Sequence, residues 1–164
     1  MPGAGKTFWA KKIATEYHLG FADLDAIIAL KEGASIAALF EQHGEACFRE
    51  KEHHWLQNTI AGSATDMVIA CGGGTPCFHN NMDLMNKRGV TIYLKATIPQ
   101  LVNHLTDSTE VRPLLTGRGH VGEALGTLLE QRAKYYEQAQ YILQTENISL
   151  STFGQIINSC INRQ

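Results

Sequence analysis

Apolar residues recur along this chain with two different spacings, and the segments that show them alternate. Apolar positions three to four residues apart predict helices, which cover residues 6–18, 35–43, 45–60, 80–87, 99–105, 123–139 and 150–161. Short extended or continuous apolar runs predict strands at residues 21–23, 67–71, 90–94 and 141–144. Strands that alternate with helices are typical of an α/β fold with a mostly parallel sheet, in which ligands bind at the carboxyl ends of the strands.

The composition is that of one folded domain without a general affinity for polyanions. The chain has 164 residues, 44% of them hydrophobic and 18% charged, and its formal net charge is −2. A disordered chain would have more charge and fewer apolar residues. The near balance of charges argues against nucleic acid or an anionic membrane as a partner, so any positive field in this protein has to be local.

The cysteines and the lack of long apolar runs lead us to expect a cytoplasmic protein. The four cysteines form no CxxC pair, and scattered thiols in a domain with its own core are typical of a reducing compartment. No apolar run approaches the roughly 18 residues of a membrane span, and the first residues lack the apolar block of a signal peptide. No apolar stripe demands an oligomer, so we expect a monomer.

The residues Met-Pro-Gly-Ala-Gly-Lys-Thr at positions 1–7 match the end of a phosphate-binding loop. The full pattern is G-x-x-x-x-G-K-[ST], and this chain has everything after the first glycine. Successive backbone N–H groups of Gly3, Ala4 and Gly5 can surround a phosphate, and the helix that begins near Lys6 directs its positive end at the anion. Lys6 can neutralise the β and γ phosphates, and the Thr7 hydroxyl can bind Mg²⁺. The alternative is a flexible glycine-rich segment, which the amphipathic helix that follows disfavours.

A phosphate-binding loop of this kind follows a buried central strand, and residues 1–7 begin where that strand would already have ended. We therefore expect about five or more mostly apolar residues and a glycine ahead of Met1 in the native protein. With that segment the mostly parallel sheet would have about five strands, the first of which is missing from residues 1–164.

Two further segments are ambiguous from the residues alone. Asp23 and Asp25 close the second extended segment, where alternation directs both carboxylates to one side, near the loop if the strands are neighbours. One could hold Mg²⁺ through water and the other could accept a hydrogen bond or a proton from a substrate hydroxyl, but acidic residues also form turns. The three glycines at 72–74 form either a plain turn or a stretch of backbone open to a ligand.

Three arginines, taken one at a time, are more typical of a surface than of a binding site. Arg49 lies on a predicted helix with Glu52 three residues later, which is the spacing of an ordinary surface ion pair. Arg112 lies in the polar stretch 106–120, and Arg132 lies on the helix that follows it. Only the combination of these segments changes that interpretation.

In combination and in this order, the segments resemble the shikimate kinases, small P-loop kinases akin to the nucleoside monophosphate kinases. The resemblance spans nearly the whole chain and rests on the loop at 1–7, Asp23-Leu24-Asp25, Phe48-Arg49-Glu50-Lys51-Glu52, Cys71-Gly72-Gly73-Gly74, Arg112-Pro113-Leu114-Leu115, and Arg132 with Tyr136. It implies one three-layer α/β/α domain at residues 1–164, with a mobile lid at about 106–120 and a substrate-binding helical region at about 26–62. The implied reaction transfers the γ-phosphoryl group of ATP to the 3-hydroxyl of shikimate, in aromatic amino-acid biosynthesis.

The resemblance also implies a role for each matching residue. The catalytic residues would be Lys6 on the phosphates, Asp25 on the attacking hydroxyl, and Arg112 on the transferring phosphoryl group. ATP would be bound by Gly3, Ala4, Gly5, Lys6, Thr7 and Arg112, and Mg²⁺ by Thr7 together with Asp23 through water. Shikimate would be bound by Asp25, Arg49, Gly72, Gly73, Gly74 and Arg132, with Glu52 steadying Arg49. The planar guanidinium groups of Arg49 and Arg132 suit the shikimate carboxylate.

One departure from the family pattern and two alternatives stay open at this point. Members of the family often have another arginine about seven or eight residues ahead of the lid arginine, against adenine, where this chain has His104 and Leu105. A related kinase with a gluconate- or nucleotide-type acceptor would keep the phosphate loop and change the acceptor site. A nucleotide-binding module without acceptor chemistry would bind ATP but release no ADP in response to shikimate.

Overall fold

A computed structural model of the protein describes residues 1–106 and 121–161. Its helices are α1 (Lys6–Glu16), α2 (Leu24–Glu32), α3 (Ile36–Ala61), α4 (Asn81–Arg88), α5 (Ile98–Thr106), α6 (Val121–Tyr136) and α7 (Leu150–Ile161). Its strands are β1 (Gly20–Asp23), β2 (Met67–Ala70), β3 (Ile92–Lys95) and β4 (Tyr141–Gln144), and a 3₁₀ turn covers Thr75–Cys77. Within these two ranges, no helix is both long enough and apolar enough to cross a membrane.

The four strands form two parallel pairs. In the first pair β1 lies beside β2, with Gly20 opposite Met67 and Asp23 opposite Ala70. In the second pair β3 lies beside β4, with Ile92 opposite Tyr141. The parallel α/β architecture expected from the alternating pattern is therefore confirmed. Because β1 and β2 are parallel and end together, the segments that follow them, 24–25 and 71–74, emerge at the same edge.

Helix α2 is an element that the sequence pattern did not predict, and it corrects the expected position of Asp25. Asp23 ends β1, and its side-chain oxygen accepts a hydrogen bond from the Ala26 backbone N–H at 3.2 Å, so Asp23 caps α2. Leu24 and Ile28, four residues apart, are both fully buried. The prediction that Asp25 continues an extended segment is wrong, because the cap turns the chain into a helix whose first turn contains Asp25.

Helix α3 has the break that the sequence predicts at Gly44. Ser35 caps its start by accepting a hydrogen bond from the Ala38 N–H at 3.1 Å. Gly44 has φ 75° and ψ 172°, so its backbone is not helical, and the helices expected at 35–43 and 45–60 meet there. The second half of α3 carries Arg49 and Glu52 on a face that packs against the segment after β2.

Two hydrophobic clusters form the core of the described residues. The larger joins β3 to α1, α5, α6 and α7 and is centred on Leu101, Leu125 and Phe153. The smaller joins α2 to α3 and consists of Leu24, Ile28, Leu39, Phe48 and Leu56. The helical region that carries Asp25 and Arg49 therefore has its own apolar support, separate from the cluster beneath the phosphate-binding loop.

A cavity of about 1040 Å³ lies between the two strand pairs. Its walls include Met67–Ala70 of β2 and residues 92–94 of β3, together with apolar residues of α1 and α7. In the described residues, β2 pairs with β1 and β3 pairs with β4, so each of the two strands has one edge without a strand partner. Met1, which is itself buried, lies among the lining residues.

We predict that an apolar strand fused ahead of Met1 fills this cavity and stabilises the fold. The matched pair of variants carries either five β-branched apolar residues and a glycine, or a Ser/Gly segment of equal length. Burial of about five such side chains, together with strand hydrogen bonds to the open edges of β2 and β3, outweighs the cost of ordering the segment by a few kcal/mol, which corresponds to a rise in Tm of roughly 5–10 °C. Thermal unfolding followed by circular dichroism measures this, and equal Tm values for the two extensions would contradict the prediction.

Candidate active site

The loop at residues 1–5 has the backbone geometry that binds an anion. Gly3 and Gly5 have φ values of 76° and 78°, in the left-handed region that favours glycine. The loop leads directly into α1, whose first turn contains no acidic residue, so its positive end is open to an anion. The Lys6 ammonium donates a hydrogen bond to the Met1 carbonyl at 2.8 Å, which places it back over the loop. This geometry is what the sequence motif requires of Lys6.

Thr7 and Asp23 meet at the side of this loop. The Thr7 hydroxyl donates a hydrogen bond to an Asp23 carboxylate oxygen at 2.7 Å, although the two residues are 16 positions apart. A hydroxyl and a carboxylate are oxygen ligands of the kind that Mg²⁺ prefers, and Mg²⁺ normally keeps waters and phosphate oxygens as its other ligands. Within residues 1–106 and 121–161 no three His, Cys, Asp or Glu side chains are grouped to hold a metal by themselves. The pair therefore fits a magnesium ion that arrives with a nucleotide.

The three glycines after β2 provide space for four charged side chains. A methyl group on Gly72 would lie 2.9 Å from a Glu52 carboxylate oxygen and 3.0 Å from an Asp25 carboxylate oxygen. A methyl group on Gly74 would overlap the guanidinium of Arg49, and one on Gly73 would lie 3.5 Å from a guanidinium nitrogen of Arg132. Asp25, Arg49, Glu52 and Arg132 thus converge on residues 72–74. The overlap is most severe at Gly74, where a side chain would displace the Arg49 guanidinium, so this stretch does more than form a turn.

Arg49 is held in a buried pocket of opposite charges and aromatic rings. Its side chain is 5% exposed. One terminal nitrogen donates to Glu52 at 2.7 Å, and the other donates to Glu45 at 3.0 Å. The guanidinium carbon lies 4.6 Å from the centre of the Phe78 ring, within cation–π range. The surface interpretation of Arg49 is therefore wrong, and the expected support from Glu52 is present.

Arg132 reaches the glycines from α6 and is also buried, with 6% of the residue exposed. One helical turn later, the Tyr136 hydroxyl donates a hydrogen bond to the Gly73 carbonyl at 2.5 Å. Burial raises the pKa of Tyr136 to about 12, so the hydroxyl keeps its proton at neutral pH and remains a donor. Sequence reasoning noted Tyr136 only as part of a motif; its spacing of four residues from Arg132 was the available signal for a role on the same face.

Thr75 and Asn81 are two site-adjacent residues that sequence reasoning missed entirely. Both are fully buried. The Thr75 hydroxyl donates to Glu52 at 2.6 Å, and the Asn81 side-chain amide donates to the Thr75 carbonyl at 2.9 Å. A hydroxyl residue directly after three glycines was the only sequence signal, and it does not distinguish a buried partner from an ordinary turn residue.

The last turn of α5 packs against the phosphate-binding loop. His104 donates a ring N–H hydrogen bond to the Gly3 carbonyl at 2.7 Å, and Leu105 lies beside the same glycine. His104 and Leu105, at the positions where the family resemblance leads us to expect an arginine, therefore contact the loop in this chain. Arg112 and nearly all of the expected lid at 106–120 lie outside the described residues.

Cys71, His53 and His54 lie near the site, and their surroundings argue against a catalytic or metal-binding role for them. Burial, reinforced by the carboxylates of Glu52 and Asp25, raises the pKa of the Cys71 thiol to about 12. Because a thiolate is the reactive form of cysteine, this shift argues against Cys71 as a nucleophile at neutral pH. His53 hydrogen-bonds to Asn81, and its neighbour His54 hydrogen-bonds in a different direction, to Asn58.

The glycine loop is followed by Lys6 and Thr7 at the start of α1, and Asp23 at the end of the parallel strand β1 bonds to Thr7. This combination defines a P-loop kinase of the three-layer α/β/α type. The family model for shikimate kinase matches residues 2–163. The chain therefore belongs to the shikimate kinase family, and it is an enzyme that phosphorylates shikimate with ATP.

Individual relatives give the same result in sequence and in structure. A shikimate kinase of Bacteroides fragilis is 39% identical over 142 residues, which are 85% of this chain and 78% of that protein. A shikimate kinase of Flavobacterium johnsoniae is 35% identical over 158 residues, 94% of this chain and 91% of that protein. The crystal structure of shikimate kinase from Bacteroides thetaiotaomicron superimposes with a TM-score of 0.86 at 32% identity, covering 98% of this chain and 93% of that one. The Acinetobacter baumannii enzyme, solved in complex with shikimate, gives 0.85 at 30% identity, covering 99% and 89%.

Proposed function

We propose that this chain transfers the γ-phosphoryl group of ATP to the 3-hydroxyl of shikimate in the space between the phosphate-binding loop and Gly72–Gly74. The observation that carries this proposal is the position of Gly73. A methyl group at Gly73 would lie 3.3 Å from Pro2 of the loop and 3.5 Å from a guanidinium nitrogen of Arg132. The donor and acceptor sites therefore share a wall, which is the proximity that in-line transfer requires.

In this proposal the nucleotide is bound by the phosphate-binding loop and by the positive charges of Lys6, Mg²⁺ and Arg112. The backbone N–H groups of Gly3, Ala4 and Gly5 bind the phosphates, and Lys6 neutralises the β and γ oxygens. Thr7 would hold Mg²⁺ and Asp23 would help to hold it through water, and the bound ion would supply further neutralisation of the phosphate charge. Arg112 reaches the transferring phosphoryl group from the lid.

Shikimate is bound in this proposal by the charged residues around the glycines. Arg49 and Arg132 bind its carboxylate, because planar guanidinium groups match a carboxylate with paired hydrogen bonds. Asp25 binds the ring hydroxyls and orients, or deprotonates, the attacking one. The backbone of Gly72, Gly73 and Gly74 lies against the ring. Each residue supplies binding, alignment or charge, and these contributions dominate catalysis of phosphoryl transfer.

The arrangement of the whole chain in this proposal follows from these roles. Residues 1–164 act as one domain, the helical region at about 26–62 binds the acceptor, and the lid at about 106–120 closes over the phosphates and excludes water. The protein acts as a monomer with ATP and shikimate as its partners, and the balanced net charge of −2 argues against nucleic acid or a membrane as a partner. The four free cysteines support a cytoplasmic location.

A coupled assay for ADP release tests the function directly. With Mg²⁺-ATP, we expect ADP to appear only when shikimate is present, and gluconate or nucleoside monophosphates to give no more than the background rate. Release of ADP with gluconate or a nucleotide, but not with shikimate, would assign a related kinase instead. ATP binding without ADP release for any acceptor would identify a non-catalytic nucleotide-binding module.

A further inference from the structure

Glu52 is a buried carboxylate whose two oxygens have different partners. The residue is 1% exposed, and one oxygen accepts a hydrogen bond from Arg49 at 2.7 Å. The other oxygen accepts a hydrogen bond from the Thr75 hydroxyl at 2.6 Å. A buried carboxylate with one unsatisfied oxygen would rotate or draw in water, so the Thr75 hydroxyl fixes the plane of the carboxylate that Arg49 contacts.

Thr75 is itself fixed by a closed circuit of hydrogen bonds. The Asn81 amide donates to the Thr75 carbonyl at 2.9 Å, and the Asn81 side-chain oxygen accepts from the His53 ring N–H at 2.5 Å. His53 directly follows Glu52 on α3, so the circuit starts and ends on the same helix. It connects α3, the 3₁₀ turn and α4, and two of its members, Thr75 and Asn81, are completely buried.

We propose that Thr75, held by Asn81, is a positioning residue that sets the affinity of the acceptor site for the substrate carboxylate by acting through Glu52 on Arg49. This inference rests on the proposed function, in which Arg49 binds that carboxylate. Thr75 touches neither substrate in this scheme. It orients Glu52, and Glu52 orients against Gly74 the guanidinium that binds the acceptor carboxylate in the proposed function.

A change at Thr75 is therefore expected to weaken the binding of shikimate, and to do so through its carboxylate alone. The Thr75 hydroxyl bonds to Glu52, whereas the phosphates are bound by residues 3–7 in the proposed function, so a change at Thr75 leaves the affinity for ATP unchanged. Loss of an oriented hydrogen bond to a charged group corresponds to about a tenfold weaker interaction. A general loss of packing would instead lower the amount of active enzyme without changing either KM.

The test compares Thr75→Val with Thr75→Ser and with the matched control Thr59→Val. Thr59 lies on α3, where its hydroxyl donates to the Trp55 carbonyl, away from the acceptor site. We expect Thr75→Val to raise the KM for shikimate about tenfold, with the KM for ATP within twofold of the unchanged protein. Thr75→Ser restores the hydroxyl and therefore the KM, and Thr59→Val changes neither KM.

A replacement variant and a second acceptor keep the test decisive. Because KM does not depend on the concentration of folded enzyme, partial unfolding of the Thr75→Val variant lowers Vmax alone. If Thr75→Val does not fold, the Thr75→Cys variant takes its place in the comparison. With an acceptor whose carboxylate is converted to a carboxamide, the difference in acceptor KM between Thr75→Val and the unchanged protein should disappear.

If the unchanged protein releases ADP with shikimate but Thr75→Val has the same KM for shikimate, this inference fails and the proposed function stands. If the unchanged protein releases no ADP with shikimate, the proposed function itself fails.

Discussion

Lys6→Met is expected to lower kcat by about 10³-fold, the largest effect of any single change considered. The ammonium of Lys6 lies over the phosphate-binding loop, where it bonds to the Met1 carbonyl at 2.8 Å. Removing one preorganised charged donor from a phosphoryl-transfer site forfeits stabilisation that increases as charge develops on the transferred oxygens. Methionine has a similar length and a good helix propensity, so α1 should remain folded.

Lys11→Met is the matched control for this change. Lys11 lies on the same helix with an exposed side chain, which the structure places over the Phe21 ring rather than the loop. Its kcat should stay within twofold of that of the unchanged protein. Steady-state kinetics with saturating shikimate measures both variants, and a Lys6→Met enzyme that retains more than a tenth of the kcat would show that Lys6 does not bind the reacting phosphates.

Arg49→Lys is expected to raise the KM for shikimate by roughly 30- to 150-fold, which corresponds to about 2–3 kcal/mol of lost charge-assisted hydrogen bonding. Lysine keeps the charge that neutralises the buried Glu52 carboxylate, so the fold does not have to accommodate an unpaired ion. It cannot reproduce the planar fork, which contacts Glu52 and Glu45 at the same time and in the proposed function also binds the carboxylate of shikimate. The KM for ATP should stay within about twofold.

The exposed Arg88 on α4 provides the control for an arginine-to-lysine change away from the glycines. Arg88→Lys should leave both KM values unchanged. Initial rates measured over a matrix of ATP and shikimate concentrations separate the two constants. An Arg49→Lys enzyme in which both KM values rise by the same factor would mean that Arg49 supports the whole fold of the site rather than the acceptor carboxylate.

Local sequence chemistry was sufficient to predict most of the fold and the phosphate-binding loop. The apolar spacing predicted the helices other than α2, and the structure moves their ends by a few residues, as where α1 ends at Glu16 and α6 at Tyr136. The loop could be predicted because its function depends on consecutive backbone groups, so all of its requirements lie within residues 1–7. The parallel pairing followed from the alternation of strands and helices.

The features that the sequence could not predict either join residues far apart in the chain or depend on a single side chain. Asp23 looks like the end of a strand, and only its hydrogen bond to the Ala26 N–H shows that it starts a helix and moves Asp25 into it. The burial of Arg49 depends on Gly74, which is 25 positions away and has no side chain to block the guanidinium. The partnership of Thr75 with Glu52 joins two elements whose sequences carry no common pattern. Contacts of this kind arise from packing, which the local periodicity does not encode.

A crystal structure of the protein with ADP and shikimate tests the central claim most directly. The account predicts the β-phosphate at the backbone N–H groups of residues 3–7 beside Lys6, and the shikimate carboxylate within hydrogen-bond distance, about 3 Å, of both Arg49 and Arg132. The ring hydroxyls should then face Asp25. A nucleotide bound away from Lys6, or a shikimate molecule whose carboxylate contacts neither arginine, would contradict it.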